Sequence, residues 1–339
     1  MDLKTNWNSF SKNRDAIYGV AIISILIFHF FEDVASSNIS GGGGGRFVGE
    51  IYNTFVGSVG VEFFVFLSGV GLYFSMTKDS RILCFFQKRL KKILPAYLIV
   101  TVPYWIAVDV VCKQKGWAVF AADISFITFF AHGTRTFWYV LFIGLAYLTY
   151  PVVYKVLHTK YTEYFQLVVL IMIALLIQLL PKIILLELYS NIEIMLGRFL
   201  VFFLGCWCGK KVYQNELINN KEKVGIFFGA GLMLGNCLPI TKCVVNKLGY
   251  RILMCFWGIF LLYCLTVNLK KIPQRIRWIL QRFGNASYEL YLTHVAIRAF
   301  MNLIGIRTYY LQNYILCVLV SLLLTSIIIK LQRMMIRAT

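Results

Sequence analysis

The sequence predicts an all-α protein, a polytopic helix bundle that crosses a membrane about ten times with both termini in the cytoplasm. Two properties of the composition point to a membrane: 59% of the 339 residues are hydrophobic, and only 14% are charged, where a soluble domain has about 25%. The mean hydropathy is +0.71. The third observation is that apolar runs close to the roughly 20 residues of a spanning helix recur along the whole chain.

The predicted spans follow these apolar runs in order. They lie at residues 16–34, 50–74, 93–111, 136–157, 164–181, 194–209, 224–243, 249–268, 284–303 and 314–330. All 339 residues then form a single transmembrane domain, with residues 1–15 as a cytoplasmic segment and residues 331–339 as a cytoplasmic tail. We expect the first run to remain as a helix and not to be removed as a signal peptide, because it ends in Glu32 and Asp33 without a small-x-small cleavage site.

The positions of lysine and arginine predict the orientation. Most of the 34 basic residues lie in segments that face the cytoplasm if the N-terminus is inside, as the positive-inside rule requires. The net charge of +19 therefore indicates membrane lipids with anionic headgroups, or an anionic cytosolic ligand, as partners. We expect no nucleic-acid partner, because no recognised nucleic-acid motif accompanies these charges.

Three further features separate or interrupt the runs. The glycine run in "SSNISGGGGGRF" predicts a flexible outer loop and not a phosphate-binding loop, because no strand precedes it and no Lys-Ser/Thr follows. Residues 112–135 are too apolar for a linker, and we expect them to lie along the outer interface. Cys206 and Cys208 have a metal-like or redox-like spacing, but without a second pair we interpret them as structural and expect no metal site.

His29 is the first candidate functional residue, because it stands about 20 Å along the first helix, past the middle of the membrane. Polar residues at that depth usually face a bundle interior or a wet cavity. His29 is either a structural hydrogen-bonding residue or a catalytic base. Arg14 and Tyr18 share its helix face, and Glu32 follows three residues later, where it can reach or orient the ring.

Six motifs in this chain resemble those of acyltransferase family 3, whose integral membrane proteins transfer acyl groups, usually acetyl, from acyl-CoA to cell-surface sugars. The motifs occur in the family's order over about 280 residues, and their shared order is the specific part of the resemblance. They read "RDAIYGVAIISILIFH", "GSVGVEFFVFLSGVGLYFS", "FFQKRLKKILPAYLI", "TFWYVLFIGLAYLTYPVV", "GRFLVFFLGCWCG" and "FGNASYELYLTHVAI".

Two positions depart from the family pattern. Tyr18 stands where many members have an arginine, with Arg14 one turn lower as a substitute, and Ile143 and Gly144 stand where many carry Glu-Glu. These departures leave the acid partner of the histidine open. In this respect the chain resembles the family's shorter subgroup, whose members lack a fused extracytoplasmic domain.

The resemblance implies an enzyme, an acyltransferase for groups other than amino-acyl groups, and most simply an acetyl-CoA-dependent O-acetyltransferase. The acceptor is expected to be a hydroxyl of a cell-surface or exported glycan, or of a lipid-linked sugar. Acyl-CoA is a co-substrate, and no permanently bound cofactor is implied. A neutral imidazole is suited to deprotonate the attacking alcohol near neutral pH, so we assign catalysis to His29, Glu32 and Arg14. The expected location is the cytoplasmic membrane of a bacterium.

The basic segment between the second and third runs is the candidate acyl-CoA site. Lys88, Arg89 and Lys92 carry charges suited to the phosphates of CoA, and the long pantetheine arm is expected to extend from them to His29. The alternative interpretation is ordinary positive-inside topology.

Six further residues are candidates to line the channel or contact the acceptor, and for each a structural role is the alternative. They are Glu62, Arg198, Trp138, Tyr139, Tyr288 and His294. A buried arginine is unfavourable unless it is paired, which makes Glu62 the candidate partner of Arg198. His294 is expected to bind acceptor hydroxyls, to brace His29, or to make a structural hydrogen bond.

A transporter or flippase for a lipid-linked sugar is the alternative function, because many helices with buried His, Arg and Glu also describe a proton-coupled carrier. Transporters often have two repeated halves, and we find no convincing repeat between residues 16–157 and 164–330. Binding of acetyl-CoA distinguishes the two functions, since a transporter would lack it.

Overall fold

The computed structural model describes residues 6–37, 43–57, 59–236 and 247–338. Every named element in these ranges is helical, which confirms the all-α prediction. The α-helices are α1 Asn8–Lys12, α2 Arg14–Ser36, α3 Gly43–Tyr52, α4 Val59–Lys78, α5 Ile82–Trp105, α6 Trp117–Ile124, α7 Ile127–His132, α8 Trp138–Leu157, α9 Glu163–Ile184, α10 Leu186–Leu196, α11 Phe199–Tyr213, α12 Asn220–Asn236, α13 Lys247–Asn268, α14 Gln274–Asn285, α15 Ser287–Leu303 and α16 Leu311–Ala338.

Eight helical stretches within the described ranges are long and apolar enough to cross a membrane, against ten predicted. The other two predicted spans correspond to α12 and α15, each of 17 residues. The predicted run at 224–243 extends past Asn236, the last residue that the structure describes before residue 247. The run at 284–303 is shorter than predicted because the chain breaks at Ala286, between α14 and α15.

The glycine-rich stretch differs from its prediction. The glycine-rich stretch was expected to be an outer loop, yet α3 begins at Gly43, while residues 38–42 lie outside the described part. The helix backbone comes close to α2 at Gly49, because a Cβ there would lie 2.6 Å from the Phe31 ring. Helix α16 continues through the expected tail at 331–339 as far as Ala338, and the cytoplasmic location of that segment stays a prediction.

Helix α11 lies at the centre of the bundle. In the stretch Leu186–Tyr213, which comprises α10 and α11, 94% of the most apolar 18-residue segment is buried, against 17% in α9. It crosses α4 at glycines. A Cβ on Gly69 would lie 2.5 Å from the Phe202 carbonyl oxygen, and one on Gly205 would collide with the Phe66 backbone. Such small-residue contacts let helix backbones approach closely within a membrane.

The same device fixes α14 against α2. A Cβ on Gly19 would collide with the Leu280 backbone, and one on Gly284 would collide with the Asp15 carbonyl. Because α15 follows α14 directly, this contact brings α15 beside α2, and the two helices run parallel. The helix that carries His29 and the helix that carries His294 are thereby neighbours.

Candidate active site

A cavity of about 630 Å³ lies between α2, α4, α5, α8, α10, α13 and α15. We call the end near the start of α2 the inner end, because the basic residues predict that it faces the cytoplasm, and the opposite end the outer end. Ser287 and Asn302 both line the cavity, and their separation of fifteen residues on one helix corresponds to roughly 22 Å. The cavity therefore extends over most of the hydrocarbon thickness of a bilayer.

His29 lines this cavity near its outer end, where it joins a network centred on Arg298. Arg298 Nη1 lies 2.9 Å from His29 Nδ1. The same guanidinium donates from Nε and Nη2 to Asp33, at 2.9 and 2.5 Å, and from Nη2 to Glu32 at 2.8 Å. Arg298 thus holds an imidazole and two carboxylates at once.

The Arg298 contact fixes the tautomer of His29. Guanidinium is only a donor, so Nδ1 of His29 must accept, and the proton of the neutral ring lies on Nε2. The Asp33 carboxylate is held in turn by Thr308, whose hydroxyl lies 2.5 Å from Oδ2, and Thr308 accepts from Asn302 at 2.5 Å. The orientation of His29 therefore depends on a chain of contacts that closes the outer end of α15.

His294 lies behind His29 and does not line the cavity. It is 1% exposed, and its ring centroid lies 5.4 Å from that of His29. Its Nε2 is 3.2 Å from the Tyr314 hydroxyl, which itself donates to the Leu26 carbonyl, so Nε2 of His294 is the donor. His294 therefore does not face the cavity, where an acceptor would bind. Its position fits the other two predicted roles, a brace for His29 and a structural hydrogen bond.

Glu32, the predicted acid partner of His29, contacts a different residue. Glu32 lines the cavity, but its hydrogen bond goes to Arg298 and not to His29. A guanidinium placed between the two residues offers the carboxylate a charged hydrogen bond, which is stronger than one from a neutral imidazole. Any effect of Glu32 on His29 is therefore indirect.

Arg14 does not reach the candidate site. It lies at the first residue of α2, with half of its side chain exposed, and its Nε donates to Asp15 at 3.0 Å. Tyr18, one turn further along, does line the cavity and stacks on Phe64 with ring centroids 5.2 Å apart. About 22 Å of helix separates Arg14 from His29, so a shared helix face does not bring the two side chains together.

Aromatic side chains form the middle of the cavity wall. Tyr139 contacts the Tyr291 ring edge to face, with centroids 5.5 Å apart, and Trp138 adjoins Tyr139 at 6.2 Å. Tyr288 also lines the cavity and donates its hydroxyl to the Ile93 carbonyl at 3.2 Å. The predicted lining residues Trp138, Tyr139 and Tyr288 are all placed on this wall.

The three predicted CoA-binding cations lie in different environments. Lys92 lines the cavity at its inner end. Arg89 lies over the ring of Tyr147, a lining residue, with its guanidinium carbon 5.6 Å from the centroid. Lys88 lies outside the cavity and contacts Asp79 at 3.0 Å, and hydrogen bonds from Arg81 and Lys88 hold the pKa of that carboxyl well below its usual value.

Glu62 and Arg198 form the predicted pair, with 2% and 6% of their side chains exposed. Arg198 lines the cavity and Glu62 does not. Arg198 sits at the junction of α10 and α11, and the Glu62 carboxylate on α4 compensates its buried charge. Such a pair is strongly destabilising to break, because one charge is then left buried without a partner.

Sequence reasoning missed three cavity residues that the structure brings into the site: Arg135, Arg251 and Arg298. Arg298 carried a usable signal, because it is a charge inside a predicted span and follows His294 by four residues, on the same helix face. Arg135 and Arg251 gave no such signal, since they lie at the ends of predicted spans and not deep inside them.

Cys206 and Cys208 are both buried in α11. No group of three His, Cys, Asp or Glu side chains in the described ranges is arranged to hold a metal ion. The two thiols are separated from the cavity lining, and their spacing is accounted for by packing in the central helix.

The comparisons with known proteins agree with this architecture. A family model described as an acyltransferase domain matches residues 14–330, which include every helix that lines the cavity. No curated protein and no solved structure matches the chain. The match covers nearly the whole sequence, and the chain therefore belongs to acyltransferase family 3, as a multi-pass membrane acyltransferase.

Proposed function

We propose that this acyltransferase moves an acetyl group from cytosolic acetyl-CoA to a hydroxyl of a cell-surface or exported glycan, or of its lipid-linked precursor. The observation that carries the proposal is that one continuous cavity contains both Lys92, at its inner end, and His29, near its outer end. A cytosolic thioester and an extracytoplasmic alcohol need a site that is reachable from both faces, and a cavity about 22 Å long meets that need.

In the proposed reaction, His29 takes the proton of the acceptor hydroxyl as its oxygen attacks the thioester carbonyl. A tetrahedral intermediate forms, its carbon–sulfur bond breaks, and the proton passes from His29 to the departing CoA sulfur. The products are the acetyl ester and CoA with a free thiol. No metal or redox partner is required for this balance.

His29 needs a free lone pair to act in this way, and Arg298 occupies Nδ1 in the present arrangement. We infer that Arg298 Nη1 leaves Nδ1 when the substrates bind. Arg298 would remain attached through its bonds from Nε and Nη2 to Asp33 and Glu32. The freed Nη1 would then be a donor for the developing oxyanion, which is the type of contact that gives the largest catalytic effects.

The donor is proposed to enter at Lys92 and Arg89. Lys92 is exposed to the inner end of the cavity, whereas Lys88 is held by Asp79 outside it. Lys92 is therefore the strongest candidate for a contact with a CoA phosphate. Family membership favours this enzyme over the carrier alternative, which offers no role for acyl-CoA.

A deletion and complementation experiment tests the function without knowledge of the acceptor. We expect deletion of the gene in its host to remove acetyl groups from surface glycans, measured by mass spectrometry, and wild-type protein to restore them. His29→Ala should fail to restore them, whereas His132→Ala should restore them fully, because His132 is exposed at the end of α7 and outside the cavity lining.

Membrane abundance of each variant is compared by immunoblot, and purified wild-type protein is titrated with acetyl-CoA. Normal acetylation by an abundant His29→Ala variant would exclude the base assignment. Failure of the wild-type protein to bind acetyl-CoA would exclude the transferase mechanism and return the carrier to consideration.

A further inference from the structure

The cavity contains an arginine cluster that the proposed reaction does not use. Arg135, Arg198 and Arg251 all line it. Two carboxylates face them: Glu62 pairs with Arg198, and Glu193, which is 8% exposed, serves both remaining arginines. Three guanidinium groups are thus balanced by two carboxylates, and this part of the cavity carries an excess positive charge.

The contacts to Glu193 are loose. Its Oε1 lies 4.0 Å from Arg135 Nη2 and 3.5 Å from Arg251 Nη2, longer than a charged hydrogen bond of about 2.8 Å. Among the described residues, the other contact of Arg135 is with the Ser190 carbonyl, at 3.5 Å. Each guanidinium has five N–H donors, so most donors of this pair have no protein acceptor among the described contacts.

Topology does not account for these two arginines. Arg135 lies just before α8 and Arg251 lies one turn into α13, and both positions belong to the predicted outer side. The positive-inside rule explains basic residues at the inner face and disfavours them here. The Arg251 side chain is 21% exposed, and a positive charge buried to that extent is unfavourable unless something pairs with it. The Arg135 side chain is 48% exposed.

We propose that Arg135 and Arg251 bind an oxyanion of the acyl acceptor, either a phosphate group that links the sugar to a lipid carrier or the carboxylate of an acidic sugar. Both groups match the planar fork of arginine. This inference rests on the proposed function for the identity of the ligand as acceptor. The donor phosphates are assigned to Lys92 at the opposite end of the cavity, so the two anion sites are separate.

Glu193 gives the site a built-in competitor. One of its carboxylate oxygens lies between the two guanidinium groups, 4.0 Å from Arg135 and 3.5 Å from Arg251. A bound oxyanion would lie closer to both groups and would compete with this carboxylate. Removing its charge should therefore strengthen anion binding, while removing either arginine should weaken it. This opposite response of neighbouring variants distinguishes a binding site from a structural ion pair.

The test measures binding to purified full-length protein in detergent by isothermal titration calorimetry, with inorganic diphosphate and with glucuronate as the two probes. We expect one probe to bind, with its affinity reduced about tenfold in Arg251→Gln, the equivalent of one lost charged contact, and raised several-fold in Glu193→Gln. Arg307→Gln is the matched control, because Arg307 is exposed and does not line the cavity.

Binding of diphosphate alone assigns the lipid-linked phosphate, and binding of glucuronate alone assigns the acidic sugar. Binding of neither probe, or equal binding by wild type and Glu193→Gln, would overturn the proposal. Adenosine 3′,5′-bisphosphate is added as competitor, and displacement of the probe from wild-type protein would assign the cluster to the donor and overturn its acceptor role. All of these measurements are independent of acetyl transfer, so a failure of the proposed function leaves them interpretable.

Discussion

Arg298→Gln is a substitution that we expect to lower both stability and activity. The change removes a cation that is 17% exposed and leaves Asp33, which is 14% exposed, facing Glu32 without compensation. It also releases His29 Nδ1 from its fixed donor. We therefore expect a loss of folding free energy together with a loss of catalytic orientation.

The magnitude follows from the Asp33 contacts. Nε and Nη2 of Arg298 lie 2.9 and 2.5 Å from the two carboxylate oxygens, a bidentate arrangement with a second carboxylate attached. Leaving one partner of a buried pair uncompensated costs about 3–5 kcal/mol. Because Glu32 is 46% exposed and solvent screens its charge, we expect a value near the lower limit, about 3 kcal/mol.

A double-mutant cycle isolates this interaction. Unfolding free energies are measured by SDS titration in mixed micelles for Arg298→Gln, Asp33→Asn and the double variant. We expect the double variant to lose less than the sum of the single variants by about 2–3 kcal/mol. Arg307→Gln, at an exposed residue beyond the end of α15, should stay within about 0.5 kcal/mol of wild type.

Activity per folded molecule separates orientation from stability. Arg298→Lys keeps the charge but lacks the fork, so we expect it to recover part of the stability without recovering the acetylation rate. Additive losses in the cycle, or wild-type acetylation by folded Arg298→Gln protein, would refute the view that Arg298 organises the site through Asp33 and His29.

Two further predictions concern packing and the donor. Gly205→Val should lower the unfolding free energy by roughly 3 kcal/mol, because the new side chain collides with the backbone of α4. Gly144→Val is the control and should be neutral, because the space beside Gly144 is open. The SDS titration measures the unfolding free energy of both variants. Lys92→Gln should raise the acetyl-CoA concentration required for half-maximal transfer roughly tenfold, with Lys88→Gln unchanged because Lys88 lies outside the cavity. An equal effect of the two lysine variants would favour a general role of positive charge at the inner face.

The sequence was sufficient for the fold class because hydrophobic run length and charge position are local properties. It misplaced the boundaries where tertiary packing outweighs local preference. Glycine disfavours a helix by about 1 kcal/mol per residue, yet α3 begins at Gly43, and its Gly49 packs closely against Phe31 of α2. The break at Ala286 follows two residues after Gly284, which packs against the Asp15 backbone of α2.

The site was predictable only in part, for a related reason. His29 was found because a titratable ring deep in a span is conspicuous, and the Arg198–Glu62 pair was found because a buried charge requires a partner. The partner of His29 was not found, since Arg298 is 269 positions away in the chain. Helix periodicity wrongly favoured Arg14, because a shared helix face does not bring residues together along the axis.

The position of His29 along α2 also bears on how one cavity could serve two substrates of different shape. His29 lies fifteen residues above Arg14 but only seven below Ser36, which corresponds to roughly 22 Å and 10 Å of helix. On the proposed function, the donor therefore covers the longer path, along the wall that carries Tyr18 and Tyr139. A thin and flexible pantetheine arm suits such a path, whereas a bulky sugar needs the shorter one. On that proposal, the asymmetry favours a mechanism in which the acyl group travels outward to the acceptor, and it accounts for the position of His29 nearer the outer end of the cavity.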